Sequence, residues 1–314
     1  MKRVIIYLDS AFCFGLSYPF FFCEFMVEEV IEYLEHFKLS PIVFGVIFLG
    51  IEIEESSASI FAAANDLPLL SIGNLIGNSI FAIAIAFAIP FLFLKPNQQA
   101  FPLFYPSIFI ILVINLILAM IFPANLLLFS IIAIICFPVT IAYSIRLQKK
   151  YIYIESVEKD DEEDELTGIN LTLRLLLGFL LIVLGGELLV ISAKEIIEIS
   201  NISESFFGLV IMAFVTNGEE FFLMFSALKK GQYQLGISAQ IGKLIWNLSL
   251  VFGISGLLIG SIDQSTIFVS TSILLLINAV WLFYLIKEKK FSAEKSIFFI
   301  IILIIFLTMT FRIL

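Results

Sequence analysis

Five glutamates lie in the middle of two strongly apolar stretches of this 314-residue chain: Glu52, Glu54, Glu55, Glu219 and Glu220. If such stretches cross a bilayer, each ionised carboxylate at the centre costs about 2.5–3.5 kcal/mol and needs a compensating partner. Carboxylate oxygens suit hard cations such as calcium better than soft metals. The pattern predicts a cation site inside the membrane, and polar contacts between helices are the alternative explanation.

Helical spacing separates the glutamates that face such a site from their neighbours. Glu220 shares a helix face with Asn217, three residues before it, and with Thr216, four residues before it. Glu54 and Glu219 are one residue, or about 100°, further around their helices. We therefore expect these two glutamates to support or modulate the site rather than to bind the ion.

The apolar stretches that follow each acidic stretch carry further polar pairs four residues apart, Asn74 with Asn78 and Lys243 with Asn247. Glycines near the same depth allow helix breaks and close packing. The predicted cation ligands are Glu55, Glu220, Glu52, Thr216, Asn217, Asn74, Asn78 and Asn247. The predicted modulating residues are Lys243, Glu54 and Glu219, and the glycines are Gly50, Gly73, Gly77, Gly218 and Gly242.

Composition indicates that the chain lies in a membrane, since 61% of its residues are hydrophobic and only 14% are charged. One helical span needs about 20 apolar residues. About ten such stretches can be counted, at 4–33, 41–64, 70–94, 103–122, 124–145, 169–199, 204–228, 234–260, 265–286 and 295–313. We predict an all-α polytopic membrane protein with about ten transmembrane helices.

The acidic stretch and the amide stretch after it occur twice, at 45–89 and at 208–258. Glu55 aligns with Glu220 at an offset of 220 − 55 = 165, and the same offset continues into the next apolar span of each copy. A constant offset across the intervening break indicates an internal duplication.

The acidic segment 151–168 divides the predicted spans into five and five. An odd number of spans per half gives the two copies opposite topologies, which is the inverted-repeat plan of secondary transporters with a site near the bilayer midplane. We predict one five-span repeat in 1–150, a linker in 151–168 and a second five-span repeat in 169–314. The linker lacks the glycine and ligand spacing of a calcium loop, which favours a solvated connection over a regulatory divalent site.

Positive charge is distributed unevenly across the predicted loops. Of the 18 Lys and Arg residues, Lys243 lies inside a span and thirteen fall on the side of the linker. Only Lys2, Arg3, Lys194 and Arg312 fall on the other side. The positive-inside rule predicts a multi-pass protein of the cell membrane with a cytoplasmic linker and both termini outside.

Residues for soluble enzyme chemistry are scarce. The chain has one histidine, His36, and an odd number of cysteines, three. It contains no glycine-rich phosphate loop and no basic nucleic-acid-binding pattern. We expect no enzymatic activity, no cofactor beyond a transported cation, and no nucleic-acid partner. The expected partners are inorganic cations and the lipid bilayer, and the sequence does not predict an oligomeric state.

The segments SIGNLIGNSIFAI and TNGEE carry a resemblance to the cation/calcium exchanger superfamily, which includes sodium/calcium and proton/calcium antiporters. Members have two inverted repeats with a signature like G-T-S-x-P-E followed by one like G-N-x-x-G-S-N-I-F-N. The resemblance covers nearly the whole chain. It implies that Glu55 and Glu220 are the paired calcium-ligating glutamates of an antiporter that works by alternating access.

The chain departs from these signatures where hydroxyl groups would hold sodium. TNGEE is similar to the G-N-A-x-E signature of proton-coupled members as well as to that of sodium-coupled ones. We predict exchange of calcium, or a related cation, for protons. Sodium coupling and a degenerate non-transporting or sensory relative are the alternatives. The hydroxyl residues of the signatures are replaced at Ile51, Glu52, Asn217, Asn78 and Lys243. Glu54 and Glu219 stand in place of prolines, and Ala82 in place of the final Asn.

Lys243 fits the family signature least, because it replaces a small hydroxyl ligand on a span that should line the site. A lysine inside a span can extend its ammonium group to the membrane interface. The alternative hypothesis is that the ammonium group contacts Glu220 or Glu52 and occupies the place of a sodium ion.

The inverted topology can be tested by labelling. In a background without Cys13, Cys23 and Cys136, single cysteines at Asp161 and Gln264 should react with a membrane-impermeant reagent from opposite faces. The two positions are separated by an odd number of predicted spans. Labelling of both cysteines from one side would contradict the inverted repeats.

Overall fold

The computed structural model describes residues 27–64, 68–148, 170, 172–177, 180, 213–262 and 265–311, and the regular structure within these ranges is helical. The helices are α1 (27–36), α2 (Pro41–Phe44, continued by the π-helical Gly45–Leu49), α3 (Ile53–Ala64), α4 (Pro68–Phe93), α5 (Phe104–Ile121), α6 (Leu126–Leu147), α7 (Ala213–Lys229), α8 (Tyr233–Ile259), α9 (Thr266–Glu288) and α10 (Ala293–Phe311).

Six of the predicted spans appear as single helices, α4, α5, α6, α8, α9 and α10, with ends that agree to within about two residues. Within the described ranges these six are long and apolar enough to cross a membrane, α6 together with the short helical turn Pro123–Asn125 before it. The predicted spans 4–33 and 169–199 lie mostly outside the described residues, and so does the first part of 204–228. The linker 151–168 also lies outside them.

The predicted span 41–64 consists of two helices, with a break at one of the positions where the sequence allows it. Ser40 caps the start of α2 by accepting a hydrogen bond from the backbone N–H of Val43, and Pro41 fits the first helical turn. The helix ends at Leu49, and α3 begins at Ile53 after three residues outside either helix. Gly50, at the end of α2, is one of the glycines at which the sequence permits a break.

The duplication is visible in two equivalent helices, α4 and α8, whose sequences align at the offset of 243 − 78 = 165. Each helix is interrupted by a π-helical segment, Ile83–Ala88 in α4 and Asn247–Val251 in α8. Under the same offset the two segments overlap. Because π-helical turns are rare and cluster at functional sites, their shared position supports the duplicated plan.

Helices α4 and α8 form the buried centre of the molecule, whereas α6 and α10 are mostly exposed at its edge. Helix α8 packs against α2 and α7, and α7 also packs against α4. Helix α5 packs against α9, and α6 packs against the last turns of α8. The two central helices therefore contact elements of both halves, and residues on their inner faces can meet.

Two glycines allow α2 and α8 to cross at backbone contact. A Cβ atom built on Gly50 would lie 2.7 Å from the Cα atom of Gly242, and one built on Gly242 would lie 2.6 Å from the carbonyl oxygen of Val46. No real Cβ atom approaches another backbone this closely. Small residues at a helix crossing allow such an approach within a membrane. The crossing brings the residue after Gly242, Lys243, next to the break that precedes α3.

Replacing Gly242 with alanine should therefore destabilise the protein. The added methyl group meets backbone atoms, which cannot rotate away, so we expect a loss of about 1–3 kcal/mol and a lower midpoint of thermal unfolding in detergent. Gly218→Ala is the matched control, because a Cβ atom there meets no atom of the described residues within 4 Å. An equal midpoint for Gly242→Ala and Gly218→Ala would contradict the close crossing.

Candidate cation site

The break between α2 and α3 positions the carboxylates of the first repeat. Glu52 immediately precedes α3, and Glu55 lies in its first turn. The backbone carbonyl of Glu52 accepts a hydrogen bond from the N–H of Ser56 at 3.2 Å, so this residue begins the helical hydrogen-bond pattern. The unpaired N–H groups at a helix N-terminus favour negative charge. The local fold thus helps to stabilise two carboxylates in an apolar environment.

A third carboxylate reaches the same point from the second repeat. Glu220 lies in α7, and one oxygen from each of Glu52, Glu55 and Glu220 lies within 4.8 Å of the others. The side chains of Glu55 and Glu220 are buried, and that of Glu52 is only 12% exposed. Three converging buried carboxylates repel one another unless a cation lies between them.

The cation between them is the ammonium group of Lys243. Its Nζ lies 2.9 Å from Oε1 of Glu52 and 3.3 Å from Oε1 of Glu55, and it is also paired with Oε1 of Glu220. A fourth acceptor, Oδ1 of Asn217, lies at 3.3 Å. Lys243 is only 1% exposed. The hypothesis that its ammonium group contacts Glu220 or Glu52 is confirmed, and both contacts are present.

Buried amides link the two repeats around these charges. Nδ2 of Asn217 donates to Oδ1 of Asn78 at 2.6 Å, and Nδ2 of Asn78 in turn donates to Oε2 of Glu55. Nδ2 of Asn247 lies 3.5 Å from the same carboxylate oxygen. Both oxygens of Glu55 are therefore engaged by donors, Oε1 by Lys243 and Oε2 by amides. Hydrogen bonds from charged and amide donors lower the cost of burying a carboxylate.

Asn74 lies one turn from Asn78, but its amide has another partner. Its Nδ2 donates to Oγ of Ser59 in α3 at 2.9 Å, which ties α4 to α3 beside the carboxylate cluster. The side chains of the remaining predicted residues, Thr216, Glu54 and Glu219, lie outside the described part of the structure. The structure thus gathers seven of the predicted residues into one network, namely Glu52, Glu55, Glu220, Asn217, Asn78, Asn247 and Lys243.

One member of the site, Gln240, was missed by sequence reasoning. It lies in α8, is buried, and donates from Nε2 to the backbone carbonyl of Glu220 at 3.2 Å. Its position three residues before Lys243 places it on the same helix face, and this spacing is the signal that could have revealed it. This hydrogen bond links α8 to the backbone of α7 beside the carboxylates of Glu52, Glu55 and Glu220.

Several buried oxygens of the site have no hydrogen-bond partner within the described ranges: Oε2 of Glu52, Oε2 of Glu220, Oε1 of Gln240 and Oδ1 of Asn247. Unpaired buried acceptors are costly and uncommon. Carboxylate and amide oxygens are the ligands that calcium and similar hard cations prefer. The arrangement can therefore bind a cation in addition to Lys243.

The chain is similar to proteins of known family and structure. A model of the family described as sodium/calcium exchanger protein matches residues 10–148 and 170–312. No curated protein sequence is similar enough to count as a relative. Among solved structures, that of the sodium-calcium exchanger NCX_Mj soaked with 2.5 mM Na⁺ and 0.1 mM Ca²⁺ matches with a TM-score of 0.76 and 19% identity over 96% of this chain and 98% of that chain.

Further structures of NCX_Mj match equally well. The one soaked with 100 mM Na⁺ and 10 mM Sr²⁺ has a TM-score of 0.77 and 20% identity over 97% of this chain and 98% of that chain. The one soaked without Na⁺ and Ca²⁺ has a TM-score of 0.76 and 19% identity over 96% and 98%. The predicted fold class, an all-α polytopic membrane protein of two inverted five-helix repeats, is confirmed.

The amide link should matter for both stability and ion binding. Asn78→Leu removes the donor to Glu55 and the acceptor for Asn217 at nearly constant volume, so we expect a loss of about 1–3 kcal/mol and weaker calcium binding. Thermal unfolding and tracer-calcium binding in detergent measure the two effects. Ser79→Ala is the control, because among the described residues the hydroxyl of Ser79 bonds only to the carbonyl of Leu75 in its own helix. Equal effects of the two changes would contradict the role of the link.

Proposed function

Because the chain belongs to the sodium/calcium exchanger family and is a cation/calcium antiporter of the membrane, we propose a specific exchange. In this proposal the protein exchanges calcium, or a related divalent cation, for protons. One observation carries the proposal: carboxylates from both repeats meet at one buried point, Glu52 and Glu55 from the first and Glu220 from the second. A site built from residues of both repeats can coordinate the ion in both the inward-facing and the outward-facing state, because the repeats move relative to each other around it.

We propose that Glu55 and Glu220 bind the transported cation and that Glu52 adds the third carboxylate. Asn217, Asn78 and Asn247 arrange these groups, and their amide oxygens are further candidate ligands. Thr216 and Asn74 remain proposed ligands on the evidence of helical spacing, and Glu54 and Glu219 remain proposed modulators. The divalent ion is the substrate here, and no separate cofactor is proposed.

In this proposal, hydrogen-bond donors of the protein and the transported cation compete for the same carboxylates. This competition couples the binding of the divalent ion to the release of protons. In the structure, Oε1 of Glu55 faces Lys243 and Oε2 faces the amide of Asn78. A divalent ion that binds Glu55 competes with these donors for the carboxylate oxygens. When the ion leaves, the carboxylates need positive charge again, from a proton or from Lys243.

Protons are favoured over sodium because of the residues at the hydroxyl positions of the family signature. Asn78 and Lys243 stand at these positions, and both direct N–H groups toward carboxylates. The ammonium group of Lys243 has no lone pair with which to coordinate sodium, and the amide nitrogen that Asn78 directs at Glu55 has none available either, whereas carboxylates can accept protons directly. This difference distinguishes the chain from the sodium-binding pattern implied by the resemblance.

A sodium-coupled exchanger is the second candidate. It is favoured by the likeness of the fold to NCX_Mj, whose structures were obtained with Na⁺ together with Ca²⁺ or Sr²⁺.

For the arrangement in the membrane, we propose a cytoplasmic linker at 151–168 between repeats 1–150 and 169–314, and termini on the outer side.

Flux in proteoliposomes tests the proposed exchange. Tracer calcium is loaded, and either a pH gradient or a sodium gradient is imposed across liposomes that contain the full-length protein. We expect the pH gradient to drive calcium movement. Movement driven by sodium alone would favour the second candidate, and movement under neither gradient would indicate a non-transporting or sensory relative.

The paired glutamates provide the sharpest variants. Glu55→Gln and Glu220→Gln should each abolish calcium flux and weaken calcium binding about 10- to 100-fold, because a contact to a charged group contributes about 1.5–3 kcal/mol. The amide keeps the shape of the side chain, so size-exclusion profiles should not change.

Glu54→Gln is the matched control within the same helix. Its position about 100° around α3 predicts a milder effect on flux. If Glu54→Gln abolishes transport and Glu55→Gln does not, the assignment of the ion-binding face is wrong.

A further inference from the structure

The ammonium group of Lys243 has the surroundings of a bound metal cation. Four oxygens surround Nζ: Oε1 of Glu52 at 2.9 Å, Oε1 of Glu55 at 3.3 Å, Oδ1 of Asn217 at 3.3 Å, and the paired Oε1 of Glu220. An ammonium group has only three hydrogens to donate. A shell of several carboxylate and amide oxygens is the coordination that hard cations adopt.

The ammonium group is held inside the protein and does not extend to the membrane interface. Lys243 lies ten residues after the start of α8 at Tyr233 and is only 1% exposed. A lysine that reaches water from within a span keeps its charged end in the interface. Here the charged end is directed at carboxylates from both repeats, so the charges of the site determine its position.

The charges of the site exceed what Lys243 can neutralise. Within the described side chains of the cluster, one ammonium group faces three carboxylates. Glu52 and Glu220 each face Lys243 with Oε1, while Oε2 of each is buried without a hydrogen-bond partner in the described residues. The same two carboxylates can therefore hold Lys243 through one oxygen and a mobile cation through the other.

The duplication shows that this position carries a positive charge in only one of the two repeats. Under the offset of 243 − 78 = 165, Lys243 corresponds to Asn78, a neutral amide in the same network. Both positions direct N–H groups at Glu55, but only Lys243 brings a full charge. The site therefore contains one cation that the chain itself supplies.

We propose that the ammonium group of Lys243 is a tethered cation that takes the place of one monovalent counter-ion in the exchange cycle. It moves within the site when the divalent ion binds, but it cannot leave. Each divalent ion is then exchanged for one monovalent cation fewer than the same site would require without Lys243. This inference rests on the proposed antiport function.

Charge movement per calcium ion tests the proposal. Full-length protein is reconstituted in liposomes whose membrane potential is set by potassium and valinomycin, with the gradient that drives wild-type flux. The potential at which net calcium flux vanishes gives the charge moved per calcium ion. The variants are Lys243→Met, which is neutral, and Lys243→Arg, which keeps the charge. Lys287→Met, at an exposed position near the end of α9, is the matched lysine control.

In Lys243→Met we expect one additional positive charge to move opposite to each calcium ion. Lys243→Arg and Lys287→Met should keep the wild-type value. A Lys243→Met protein that transports calcium with the wild-type charge per ion would overturn the proposal. If Lys243→Met does not fold, as judged by size-exclusion, Lys243→Ser takes its place in the same assay.

If the neutral variants fold but do not transport, equilibrium calcium binding tests whether Lys243 acts as a tethered cation. Removing a positive charge in contact with the ligand carboxylates should raise calcium affinity in detergent by about tenfold or more. Unchanged or weaker calcium binding would overturn the tethered cation. Absence of wild-type flux under both gradients would contradict the proposed antiport instead, and the binding measurement would still test Lys243.

Discussion

The structure depends on the pairing of three closely spaced carboxylates with one buried ammonium group. Glu52, Glu55 and Glu220 would repel one another in an apolar interior, and Lys243 lies between them. Each partner lowers the cost of burying the other, so neither the glutamates nor the lysine is stable at this depth alone. Because the partners come from three separate helices and both repeats, their charges also hold the helices in register.

The helix crossing that permits this contact is a property of the backbone. Gly50 and Gly242 let α2 and α8 touch without side chains between them, and the chain then leaves helical geometry before Glu52. That break places Glu52 and Glu55 at the N-terminal end of α3, where the helix dipole favours negative charge. A larger residue at either glycine would separate Lys243 from its partners, although neither glycine bears a polar group.

The spans were predictable because apolar length is a strong signal, and the paired glutamates because the duplication repeats them at a constant offset. Gly50 marked one place where the helix could break, but the apolar run 41–64 continues through it, so the sequence did not show that the chain breaks there rather than at another glycine. Spacing placed Asn74 and Asn78 on one face, yet Asn74 bonds to Ser59 because α3 lies against that part of the face. Gln240 was missed because its role follows from the position of the α7 backbone, which the sequence of α8 does not contain.

Duplication explains why the site is symmetric in plan and asymmetric in charge. The two repeats place equivalent helices, π-helical segments and glutamates around one point. Divergence at a single equivalent position then gave an amide in one repeat, Asn78, and an ammonium group in the other, Lys243. A fold with two copies of each element can change the charge of its site by one unit through one substitution and still keep the paired glutamates. Under the proposed exchange, the ion requirement depends on residues such as Lys243, while the fold depends on the spans and glycines.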